Sequence, residues 1–433
     1  MKKVAFFLDD IAPNTDYFTE HSPNPGIGGT QFLIWSVACG LSERKSDLDI
    51  TLFVNGKTKL PNHLKHAEVS NAIECIQLCS EQKFDYLILR SPIFDKQIFK
   101  AIDHYKVNTI LWAHNFENYI SYNILKKSRY IKKIVCVSKE QYNLLIDTDI
   151  FLKCTYISNG LWFDKYEISN QHENNKKTIC YMGNLYPRSG YETFLKCWRK
   201  IEAAIPDCEL IIIGGNDLYN TSVMKSAGYS KKSFNRIQIL EQKYLYNNGK
   251  LKPNITKAGV KKGMEKLQLM AQCTVGVTNI TDAGETFGLG AVEFQALGIP
   301  VVSIAKYGLL ETVNDKISGI LVKDKSKISD AVIDIVNNNE LRRTLSEEGR
   351  EFVQKNFEMS LILNKWEVFL QDVDNYLPAK KAETNSDIVN YTRNNVYFVN
   401  SILRKHIPVL PPILFYKYLI YGIRRVFEKL ELV

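Results

Sequence analysis

The stretch GETFGLGAVEFQALGIPVV, Gly284 to Val302, decides how the rest of the chain is read. It opens on closely spaced glycines, runs without Gly or Pro from Ala291 to Leu297, turns at Gly298 and closes on a Pro-led apolar run. That order is turn, helix, turn, strand, with a helix expected over Phe287 to Leu297 and a strand over Val301 to Ile304. The apolar run Thr274 to Thr278 precedes it, so the stretch belongs to a strand–helix–strand unit. Gly288 and Gly290 let backbone approach a ligand, and the free N–H groups of the following helix would point at an anion such as a diphosphate. Glu285 stands just before the helix and Glu293 about two turns into it. Taken alone, the first reads as a helix cap and the second as a solvated face residue as readily as both read as ligand contacts.

Outward from there, the same alternation fills the chain. In the first half Val4 to Leu8, Ile50 to Val54, Tyr86 to Leu89, Thr109 to Trp112, Ile134 to Val137 and Tyr156 to Ile157 are short apolar runs between amphipathic stretches. The second half adds Thr178 to Met182, Glu209 to Ile213 and Gly319 to Val322, with helices expected over Tyr191 to Ile205, Val260 to Gln272, Ile328 to Asn337 and Glu340 to Asn356. Continuous apolar strands separated by helices indicate parallel sheets covered on both faces. The polar run Ser169 to Lys177 separates the halves. The expected fold class is therefore α/β, with two Rossmann-like domains at 1–165 and 166–377 and a C-terminal helical extension at 378–433. The weakly patterned Tyr219 to Gly259 reads as a surface excursion or a lid.

Composition narrows the function. With 433 residues, 45% hydrophobic and 24% charged, the chain buries sizeable cores and is not a disordered one. Its net charge of +9 carries no basic stripe or recognition motif, which disfavours nucleic acid as a partner. The nine cysteines are odd in number and form no C-x-x-C pair, as expected of reduced thiols in a cytosolic enzyme. Cys75 and Cys79 share a helix face without a nearby His or Cys pair, a poor zinc site, and no metal is expected. Asp9 and Asp10 read as turn carboxylates after the first strand. The apolar run in MKKVAFFLDD is too short for a signal-peptide core, and no uncharged stretch is long enough to span a bilayer. Between Asn400 and Val433, six Lys or Arg and two Glu flank an aromatic, aliphatic segment. That segment suits an anionic membrane interface, with Tyr416, Tyr418 and Tyr421 at headgroup level, or alternatively docks on the body. The expected location is cytoplasmic, peripheral on the cytosolic membrane face.

The Gly284 to Val302 stretch resembles the signature of the retaining glycosyltransferases of family 4, which have the GT-B fold of two Rossmann-like domains facing a cleft. The resemblance rests on a Glu, seven residues and a second Glu, followed by a small-residue turn and a Pro-led strand. It extends in order through Gly28-Gly29-Thr30-Gln31, Ser158-Asn159-Gly160, Tyr181-Met182-Gly183-Asn184-Leu185, Tyr307 to Glu311 and Gly319 to Val322. It covers most of residues 1–377.

The resemblance implies that Glu285 lies beside the donor sugar and its leaving phosphate. Thr286, Phe287, Gly288 and Leu289 would line the donor, the last three through backbone N–H groups. Glu293 would accept hydrogen bonds from the ribose, while Gly28 and Gly29 would approach the diphosphate from the opposite domain. His114, which as a strand-end residue reads equally as a structural histidine, would face the donor sugar. One departure stands out: the family has Arg and Lys where this chain has Asn184 and Ser189, so Arg188 would have to neutralise the diphosphate. The implied activity moves a sugar, with retention, from a nucleotide diphosphate sugar to a saccharide or lipid-linked acceptor in cell-surface polysaccharide or glycolipid synthesis. The nucleotide sugar is a co-substrate and no cofactor is needed. A nucleotide-sugar epimerase of the same fold and a catalytically silent partner subunit are the alternatives.

Overall fold

Every strand expected from an apolar run forms, and two strands beyond those complete the sheets. The computed structural model describes residues 1–9, 23–56, 60–93, 95–117, 121–168, 177–186, 189–215, 231–281, 284–376, 388–407, 409–413, 415–416 and 419–420. The first sheet comprises β1 (Lys2–Leu8), β2 (Leu48–Asn55), β3 (Lys65–Val69), β4 (Tyr86–Ser91), β5 (Thr109–Ala113), β6 (Ile131–Cys136) and β7 (Cys154–Tyr156). Its order is β3-β2-β1-β4-β5-β6-β7, parallel throughout.

The second begins with β8 (Lys177–Met182) and β9 (Cys208–Ile213), followed by a small hairpin of β10 (Tyr246–Asn247) and β11 (Lys250–Leu251). It continues with β12 (Ile255–Gly259), β13 (Val275–Thr278), β14 (Val301–Ile304) and β15 (Ile320–Val322), in the order β12-β9-β8-β13-β14-β15, again parallel. Both sheets therefore reverse their winding once, between β1 and β4 and between β8 and β13. At such a reversal the loops leaving two adjacent strands diverge, and a crevice opens at their C-terminal ends.

Two compact units result. One gathers the described parts of Met1–Phe18, Leu33–Ser158 and Leu363–Val433, and the other those of Thr19–Phe32 and Asn159–Ile362. In the first unit Val4, Ala5, Phe6 and Leu8 of β1 are fully buried. Trp366 stands edge-on to Trp112 of β5 at 4.7 Å and to Phe6 at 6.3 Å, so a late helix closes one face of the sheet. Truncating such a tryptophan to alanine costs about 3–5 kcal/mol. Cys75 and Cys79 do share a face of the helix Ala72–Glu81, and that face is in the core.

The Tyr219 to Gly259 stretch is in part an ordinary crossover: the helix Lys231–Leu245 leads through the hairpin to β12, which pairs with β9. Residues 216–230 lie outside the described residues. In the C-terminal extension the helix Ile388–His406 is held through Asp147. Asn400 Nδ2 and the Ile413 N–H each donate to Asp147 Oδ2 at 2.7 Å, and Arg404 reaches Asp147 O and, at 2.9 Å, Asp149. Lys417, Tyr418, Tyr421, Arg424, Arg425 and Lys429 lie outside the described residues. Among the described residues no helix is long and apolar enough to cross a membrane.

Candidate functional site

The reversal in the second sheet brings most of the expected donor residues to one place. β8 and β13 are paired to their last residues, Met182 opposite Thr278. Thr278 Oγ1 lies 2.9 Å from Met182 O and 2.9 Å from Asn279 Oδ1, tying both strand ends together. Asn279 takes a left-handed conformation, φ +54°, and its side chain hydrogen-bonds Glu285. Burial pushes the Glu285 carboxyl up from its ordinary value, and the Asn279 hydrogen bond pulls it partly back.

The loop that carries Glu285 is fastened from behind. Gly308 N donates to Glu285 O at 2.9 Å, and Thr312 Oγ1 donates to Phe287 O at 3.1 Å. A Cβ on Gly308 would stand 2.3 Å from Thr286 O, so only glycine admits that approach. Phe287 turns its ring inward, edge-on to Phe357 at 5.2 Å, and therefore offers a ligand its backbone alone. Gly288, at φ +89°, then starts the helix Leu289–Ala296 with no side chain capping its N–H groups. Uncapped N–H groups and the helix dipole favour an anion there. Gly290 has a packing reason of its own, since a Cβ would meet Met182 Cε at 2.8 Å.

Glu293 lies deeper in the same helix, and its carboxylate is already engaged. Lys266 Nζ, on the helix Gly263–Ala271, reaches Glu293 Oε1 at 2.5 Å, and Tyr166 OH donates to the same oxygen at 3.1 Å. The side chains of Lys266 and Glu293 are only 12% and 5% exposed. Burial, and then the Glu293 charge, push the Tyr166 phenol well above the ordinary tyrosine range.

Gly28 and Gly29 begin the helix Gly29–Ser42, and the segment before them groups with the second unit. Asn24 Oδ1 accepts from the N–H groups of Gly26 and Ile27 at 2.9 and 3.0 Å, and Asn24 O accepts from Gly263 N at 2.8 Å. A Cβ on Gly29 would meet nothing within 4 Å, whereas one on Gly28 would collide with Gln31 Oε1. Past β8, Asn184 Nδ2 donates to Tyr186 OH at 3.2 Å and Ser189 Oγ donates to Tyr186 O at 2.7 Å. Neither position carries a charge to the turn. Arg188 lies outside the described residues.

His114 belongs to the first unit, just past β5. Its ring lies 4.4 Å from that of Trp112, and burial together with the nearby Arg90 guanidinium pushes its pKa down to about 3. It is a neutral imidazole. At the reversal of this sheet Arg90, near the end of β4, pairs with Asp9, just past β1, at 2.6 Å. Ser91 donates to Glu117, whose buried carboxyl is pushed up to about 7. Lys266, Tyr166, Asn279 and Glu117 went unnoticed in the sequence. Lys266 sits within an expected helix, but nothing in one dimension pairs position 266 with 293.

Residues 163–352 match the family model of glycosyl transferases group 1. An uncharacterized glycosyltransferase of Methanocaldococcus jannaschii is 28% identical over 256 residues, covering 57% of this chain, and the chain spans 63% of that relative's length. One from Haemophilus influenzae is 22% identical over 86% of this chain and all of its own length. Among solved structures, Anabaena HepE in complex with UDP-glucose superposes with a TM-score of 0.62 at 14% identity, over 86% of this chain and all of its own. The fold is therefore that of the GT-B proteins, and the part of the chain that resembles glycosyl transferases group 1 lies within its second unit.

Proposed function

We propose that the chain transfers a sugar, with retention of configuration, from a nucleoside diphosphate sugar to a saccharide or lipid-linked acceptor. One observation carries the reading: the Glu285 carboxyl is fixed by Asn279 at the sheet reversal, immediately before an uncapped helix N-terminus. The leaving diphosphate is the anion for which such N–H groups are suited, and preorganised donors aimed at developing charge are a large source of rate. Glu285 then stands by the sugar, with Thr286, Phe287, Gly288 and Leu289 presenting loop backbone. Gly28 and Gly29 are assigned to the diphosphate, Glu293 to the ribose, and Arg188 to the cation role for which Asn184 and Ser189 are unsuited. His114, neutral through burial, is the family-based candidate for the donor sugar. UDP-glucose in HepE supports a uridine nucleotide as the first donor to try.

In a panel of sugar nucleotides with and without lipid-linked acceptors, the wild type should turn over one donor. Glu285→Gln should lose at least about tenfold, roughly 1.4 kcal/mol of barrier. Equal turnover by that variant removes Glu285 from the reacting centre. A protein that binds the donor yet transfers nothing would instead be the silent subunit that Asn184 and Ser189 favour.

The acceptor class rests on the C-terminal extension. Val396, Val399, Leu403 and Ile407 follow helical spacing on one face and are each between 44% and 51% exposed, with Lys405 and His406 at the helix end. An exposed apolar face with basic neighbours suits the interface of an anionic bilayer, where lipid-linked acceptors are found. Arg404, expected at headgroups, is engaged by Asp147 and Asp149 instead. Full-length protein should sediment with anionic liposomes at low salt, and Val399→Asp with Leu403→Asp should abolish it. A wild type that ignores those liposomes ends the membrane reading.

A further inference from the structure

Cys39, Glu43 and His63 bring a sulfur, an oxygen and a nitrogen donor together in the first unit, at the far end of the helix that starts at Gly29. Glu43 N donates to Cys39 O at 3.2 Å, so the helical turn continues past Ser42 and sets the two side chains on one face, four residues apart. His63 arrives from the segment that leads into β3. Cys39 Sγ lies 3.5 Å from Glu43 Oε1 and 3.5 Å from His63 Nε2, and the remaining edge, Nε2 to Oε1, is 3.4 Å. Around a tetrahedral zinc ion, with bonds of about 2.0–2.3 Å, neighbouring donors stand about 3.3–3.6 Å apart. All three edges of the observed triangle fall within that range.

The donor set points the same way. A thiolate with an imidazole and a carboxylate suits zinc and is foreign to magnesium or calcium, which take oxygen. Among the described residues no other group of three Cys, His, Asp or Glu side chains is as close. Cys39 is 2% exposed, while the side chains of His63 and Glu43 are 33% and 27% exposed, so an ion would enter from solvent and keep one position for water. The sequence, where Cys75 and Cys79 make a poor zinc site, led to no expected metal. Cys39 and Glu43 come from one helix turn and His63 from 20 residues further on, a grouping that only the fold makes.

We propose that Cys39, Glu43 and His63 form a Zn2+ site, completed by water, that fastens the end of the helix Gly29–Ser42 to the connection between β2 and β3. On binding, the Cys39 thiol releases its proton to solvent, and neutral His63 gives the metal the Nε2 lone pair. The same three distances also arise in a hydrogen-bonded cluster with no ion. Spectroscopy separates the two.

Metal-stripped full-length protein titrated with Co2+ should develop a near-ultraviolet sulfur-to-cobalt charge-transfer band that saturates at one equivalent and is bleached by Zn2+. Cys39→Ser should remove the band. His63→Ala, at a partly exposed position, should lower Zn2+ affinity at least tenfold in competition with a chelating dye, and gives a reading even where replacing the buried thiol impairs folding. Absence of a band in the wild type, a band that survives Cys39→Ser, or equal Zn2+ affinity in His63→Ala each overturns the site.

Discussion

Glu117 in the first unit and Glu293 in the second are buried alike, 5% and 4% exposed, yet their surroundings differ. Glu293 meets the Lys266 ammonium and the Tyr166 hydroxyl. Glu117 meets the Ser91 hydroxyl, and its second oxygen has no partner among the described residues. Removing a carboxylate from water is expensive unless a cation and donors compensate it; without them the group keeps its proton. Glu293 therefore sits in a buried ion pair within the second unit, whereas Glu117, with its pKa pushed up to about 7, is a proton holder near neutral pH. Burial alone does not set the charge of a carboxyl group. The partner does.

Removing the partner is the strongest way to break this contrast. Lys266→Met leaves Glu293 buried beside an apolar stem, and stranding one member of a buried pair costs about 3–5 kcal/mol. The denaturant midpoint at pH 8 should fall accordingly, and adding Glu293→Gln should restore most of it, since no uncompensated charge then remains. If Lys266→Met alone leaves the midpoint in place, the Lys266–Glu293 ion pair does not hold the fold.

The same contrast shows what a sequence can and cannot disclose. The central strands were legible because a parallel strand covered on both faces is apolar throughout, as in Val4 to Leu8 and Leu210 to Ile213. The strands that escaped, β3 and β12, are KHAEV and ITKAG at sheet edges, where polar residues meet water and the apolar signal fades. At the candidate site the loop Glu285 to Leu289 was legible because turn chemistry and helix start are local. Phe287 could be placed there, but its inward ring could not, because Phe357 lies seventy residues on. Lys266 with Glu293, and Asn279 with Glu285, are likewise tertiary pairings made by strand ends that only the sheet order brings together.

Glu117 offers the next largest effect, through pH. Its ordinary value is 4.5, so above that pH the unfolded chain has lost a proton that the folded chain keeps to about pH 7. In that window the folded state binds more protons, and stability falls as pH rises through it. At ~1.36 kcal/mol per pKa unit the total is of order 3 kcal/mol. Glu117→Gln still accepts from Ser91 and has no proton to lose, so its stability should be flatter between pH 4.5 and 7 and exceed that of the wild type at pH 8. Parallel curves for the two proteins would mean that Glu117 is ionised in the fold.

The smallest expected effect concerns Glu285, a carboxyl intermediate between the other two. Burial raises its pKa, and the Asn279 side chain moderates the rise without a cation. Asn279→Gly keeps the left-handed backbone at no cost and deletes that amide. With burial then unopposed, the carboxyl holds its proton to a higher pH, and the acid limb of kcat/KM should move upward in pH. The plateau above the limb should stay within about twofold, less than ~0.5 kcal/mol of barrier, because the ionised carboxylate still stands before the helix N-terminus. A limb that stays in place while Asn279→Gly folds normally would show that the limb reports a group other than Glu285, and the amide would then serve only to tie the loop to the end of β13.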